Sequence, residues 1–67
     1  MNKLEKKESA ISFVMDKHRE NGKSEAYVQW EAHTLRNSGV RDVSDDTYYI
    51  LTSDEFRKRF VSYLNWF

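Results

Sequence analysis

A chain of 67 residues makes one domain, residues 1–67, and at this size folding buries only about 60% of the unfolded surface. There is no Cys, which excludes disulfide staples and thiolate metal sites, and the two His are not clustered as a structural zinc site requires. Eleven Lys and Arg balance eleven Asp and Glu, so the chain lacks the basic footprint of a nucleic-acid binder.

The charge is unevenly spread. Residues 1–23 carry six basic and four acidic groups, residues 24–46 two and five, and residues 47–67 three and two. An acidic middle lies between two mildly basic ends. No apolar run approaches the roughly 20 residues of a membrane span. No apolar stretch follows the N-terminal lysines, as a signal peptide would need. The expectation is a cytoplasmic protein, of the small, neutral, cysteine-free kind common among bacterial and phage accessory proteins, with no membrane contact and no cofactor. Ten residues are aromatic. Each can bury about 150–250 Å², so aromatic packing or self-association must make up for the small core.

In chain order, a first helix is predicted over 3–20. Asn2 can cap it with Glu5 three residues later. Leu4, Ile11, Val14, Met15 and His18 share one face, and Phe13 projects to the opposite side. Lys7 interrupts the face but can lay its stem along it. Asn21-Gly22 is a stop signal. Ser24 opens a second helix over 25–37, in which Val28, Ala32 and Leu35 form one stripe. Ala26, Trp30 and His33 lie nearly opposite, so this helix has two apolar sides. Ser38-Gly39 ends it, and Val40 can make the closing hydrophobic contact. The short linker implies that the first two helices are antiparallel neighbours.

Residues 40–52 fit two readings. Thr47 to Thr52 is β-branched and aromatic, and could pair with Val40 to Val43 as a hairpin. The favoured reading is a short helix, with Ser44 as cap and Asp45 and Asp46 in its first turn. A last helix is predicted over 54–67, capped by Thr52 or Ser53, with Phe56, Phe60, Tyr63, Leu64 and Phe67 on one face. Arg57, Lys58 and Arg59 turn to water there. Its apolar area makes it the expected organiser of the fold. The fold class is therefore a mainly α single-domain bundle. Its core should hold Leu4, Ile11, Val14, Met15, Val28, Ala32, Leu35, Ile50, Leu51, Phe56, Phe60 and Leu64.

Catalysis has little support. There is no Cys nucleophile, no Gly-rich phosphate loop and no nucleophile elbow. The acids of Asp16-Lys-His18-Arg-Glu20 and Glu31-Ala-His33 stand two residues from a His, positions that do not face each other on a helix. Asp45-Asp46 lacks the other oxygen ligands of a calcium loop. The chain is read as a non-enzyme without a metal.

Protein–protein interaction is the leading class: a small regulator or inhibitor that binds another protein or a second copy of itself. Phe13, Trp30 and Trp66 each project away from the main stripe of their helix, and the sequence ends on Trp66-Phe67. Aromatic residues of this kind are enriched at interface hot spots. These four residues are the expected docking positions, with Trp30 expected to stay partly open. The runner-up is a DNA-binding regulator of helix-turn-helix or winged-helix type. The second helix, Gly39-Val40 and a short helix from Ser44 are loosely similar to a helix-turn-helix. Arg36, Arg41, Arg57, Lys58 and Arg59 would then bind phosphate, although Asp45 and Asp46 of the short helix would repel it.

Overall fold

The computed structural model describes residues 3–60, with side chains from Lys7 onward. Among these residues the protein is helical and has no strand. Helix α1 spans Lys3–Glu20, α2 Glu25–Ser38, α3 Asp45–Leu51 and α4 Asp54–Arg59, with a single 3-10 turn at Gly39–Arg41. The choice left open over 40–52 resolves as the short helix.

Three serines set the starts of α2, α3 and α4. Ser24, Ser44 and Ser53 all have extended backbone, and their hydroxyls accept from the amides of Tyr27, Thr47 and Phe56, three residues on. Each satisfies an amide that the first helical turn leaves open. Between the two cap candidates before α4, Ser53 takes the role. Thr52 instead closes α3, its hydroxyl donating to the carbonyls of Tyr48 and Tyr49.

Glycine supplies the stops. Gly22 has φ of 80°, and its amide bonds the Arg19 carbonyl while Lys23 bonds that of His18. This is the Schellman pairing, which needs a left-handed residue at that position. Gly39, at φ 64°, returns its amide to Leu35 and turns the chain away from α2.

Helices α1 and α2 are antiparallel. Lys7 and Glu8 of α1 meet Arg36 of α2 at one end, and His18 meets Tyr27 at the other. Ala10, Ile11, Phe13, Val14, Ala32, Leu35, Ile50, Leu51 and Phe56 form the buried core, with Val28 also closed to solvent. Met15, Val40, Val43 and Phe60 pack on its margin. Leu4 and Leu64 lie outside the described side chains.

Two expectations change. Phe13 is not an outward aromatic: it is 8% exposed and meets Phe56 and Phe60 edge to face, both at 5.8 Å between ring centres. α1 meets α2, α3 and α4, so its buried arc is wider than one stripe. The helix expected over 54–67 runs Asp54–Arg59, and Phe60 has left helical geometry at φ −128° and ψ 39°. The calls on Tyr63, Leu64, Trp66 and Phe67 lie outside the described residues. Within those residues α1 meets each of the other three helices, and so does α3.

Candidate functional site

Two features stand out, one buried and one open. The buried one joins α1, α2 and α3 through polar side chains. His18 Nε2 stands 2.6 Å from Thr47 Oγ1, and Thr47 Oγ1 donates to Glu31 Oε1 over 2.6 Å. Ser44 adds two more donors to the same oxygen, its amide and its hydroxyl, each at 2.9 Å. The Tyr27 hydroxyl bonds that of Ser44, and the Tyr27 ring stands edge-on to His18. His18 and Thr47 are fully buried and Glu31 is 3% exposed.

The proton count follows from the partners. A Thr hydroxyl has one proton, and here it goes to Glu31. His18 must then donate from Nε2, which leaves Nδ1 without a proton. Nδ1 is buried and has no hydrogen-bond partner. Burial pushes the imidazole below its ordinary value. The carboxylates of Glu31 and Asp46 oppose that push, and the Lys23 ammonium reinforces it. The group order is carboxyl, hydroxyl, imidazole, with the hydroxyl in the middle. In a nucleophilic triad the imidazole stands between the other two, so this chain of bonds does not activate Thr47 as a nucleophile.

Sequence reading missed this network. Acid–His pairs within one helix do not reveal it, because Thr47 reaches His18, and Glu31 reaches Thr47, from two other helices. A buried Glu in the same helix as the Val28–Ala32–Leu35 stripe was the one available signal.

The open feature is on α2. Trp30 is 64% exposed. With His33, Thr34, Asn37, Ser38 and Asp42 it lines a shallow groove of about 350 Å³. Trp30 and His33 rings lie 5.9 Å apart, and Asn37 donates to the His33 carbonyl. Tyr49, 76% exposed, borders a second hollow of about 200 Å³ with Lys17, Asn21, Ile50, Ser53 and Glu55.

Among the described basic residues, several are engaged by other side chains. Arg36 is held by Glu8 in a two-pronged ion pair, Nε to Oε2 at 3.0 Å and Nη2 to Oε1 at 2.9 Å. That pairing lowers the Glu8 carboxyl and raises the Arg36 guanidinium. Arg59 lies over the Phe13 ring at 5.4 Å, and Arg41, Arg57, Lys58 and Arg59 are all exposed. Asp45 and Asp46 open α3, and Asp46 is held 2.7 Å from Lys23. Among the described residues no group of three or more His, Asp or Glu could hold a metal, and no helix is long and apolar enough to cross a membrane. Comparison with protein families, curated proteins and solved structures returned no match to this chain.

Proposed function

We propose that the chain is a small non-enzymatic interaction module, a regulator or inhibitor that acts by binding another protein or a second copy of itself. The observation behind this reading is the open face of Trp30. Its side chain stands 64% exposed beside a groove with polar walls, while the fold buries Val28, Ala32 and Leu35 of the same helix. A large ring left open next to hydrogen-bonding groups suits a docking hot spot, where aromatic burial gives affinity and the polar rim gives orientation.

The test compares wild type, Trp30→Ala and the triple variant Arg57→Ala, Lys58→Ala, Arg59→Ala. Each is examined by sedimentation across a concentration series and as bait for partner capture. Self-association or capture lost in Trp30→Ala and kept in the triple variant supports the interaction reading. Duplex DNA binding with a steep salt dependence, lost in the triple variant, overturns it in favour of the DNA-binding regulator.

A further inference from the structure

We infer that His18 is a protonation-sensitive latch: α3 stays docked on α1 and α2 only while the imidazole is neutral with its proton on Nε2, and acidification releases α3. This inference does not rest on the Trp30 face.

The geometry leaves the second proton nowhere to go. Nε2–H is committed to Thr47, and Thr47 is committed to Glu31. A proton arriving at Nδ1 would create a buried N–H, and a buried charge, with no acceptor. The charged and titratable groups facing His18 come from every element around it. Glu31 and the Tyr27 ring face it from α2, Asp46 from α3, and Lys23 from the α1–α2 linker. Asp46 is paired with Lys23, so its pull on an imidazolium is partly neutralised. Burial prevails over the two carboxylates, and the neutral ring is favoured in the docked state.

α3 is the element that can give way. It has seven residues, too few to persist as a helix on their own. Its cap Ser44 and its Thr47 are both members of the network. α1 and α2 also meet away from the network, where Lys7 and Glu8 engage Arg36. Moving Thr47 away admits water to the ring and satisfies the new N–H, a local opening rather than a global one.

The experiment is amide hydrogen exchange on the full chain from pH 7.5 to 5.0, corrected for intrinsic rates, with the imidazole followed by nitrogen NMR. The opening constant of the Tyr48–Leu51 amides is expected to rise up to tenfold per pH unit below about 6.5. The Ala32–Leu35 amides of α2 should respond less. His18→Gln keeps an N–H donor but cannot titrate, and its α3 opening should be flat with pH. The inference is overturned if α3 opening in wild type is independent of pH, if the dependence survives in His18→Gln, or if all helices open together. Should His18→Gln fail to fold, the wild-type ring decides. An Nε2–H tautomer with a midpoint below 6.5 that coincides with α3 release upholds the latch. An Nδ1–H tautomer, or a midpoint at or above 6.5, overturns it.

Discussion

Thr47 donates to Glu31 across 2.6 Å, and that one bond ties the first turn of α3 to the middle of α2. Thr47 also accepts from His18, so a single hydroxyl satisfies groups on two other helices. Replacing it with the isosteric Val leaves the His18 N–H and one Glu31 acceptor position unmatched. Thr47→Val should cost about 1–3 kcal/mol, the range for stranding a buried polar group. Thr47→Ser should recover most of that. Urea midpoints of the two variants check it, and equal midpoints would show that the hydroxyl adds nothing.

Phe56 is fully buried, edge to face with Phe13 and tilted against Phe60. Phe56→Ala should cost about 3–5 kcal/mol, as for other buried Phe residues, and leave little folded protein in a domain this small. Phe60, on the margin of the core, should cost less when truncated. Thermal melts of both variants test the ranking, which fails if Phe60→Ala is the worse of the two.

Trp30 is predicted to be dispensable for folding. Its ring is mostly in water, so Trp30→Ala should change stability by less than about 0.5 kcal/mol, as for other surface positions. Circular dichroism through a urea series measures this. A loss comparable to that of Phe56→Ala would make Trp30 a second core centre and remove the basis of the docking reading.

The Glu8–Arg36 pair joins the two long helices on their wet side, with each side chain 45% exposed. A double-mutant cycle with Glu8→Gln and Arg36→Gln should give about 0.2–1 kcal/mol, since water screens such pairs. The coupling should shrink in high salt. A value that salt does not change would mean that Arg36 acts through packing of its stem.

Acid should destabilise the protein in two stages. The Arg19 guanidinium, and then the Gln29 amide, hold Glu25 down to about 2 from its ordinary 4.5. A carboxyl lowered by folding contributes stability that is complete above about pH 4.5 and is lost as pH falls towards 2. Glu25→Gln should flatten that lower stage. His18 governs the upper stage with the same sign, because its folded value is also depressed: its contribution is intact above the ordinary 6.5 and fades below it. Stability measured from pH 8 to 2 in Glu25→Gln and in His18→Gln separates the stages. A Glu25→Gln curve identical to wild type would remove the Arg19 pair from the account.

By itself the sequence determined what local chemistry controls. Ser24 and Ser44 announce helix starts because their hydroxyls serve amides three residues on, and Gly22 and Gly39 announce stops because only glycine takes the left-handed turn at no cost. Val28, Ala32 and Leu35 were legible as core because burial repeats with the helical period. Tertiary structure decided the rest. Whether Phe13 faces solvent depends on whether another helix lies there, and only the placement of α4 answers that. Arg36 looked free to meet phosphate until Glu8, 28 residues away in sequence, was brought to it. Nothing in the spacing of Glu31, Thr47 and His18 along the chain links them as one site. They become one buried network because packing removes water from all of them at once, and each polar group must then find its partner on another helix.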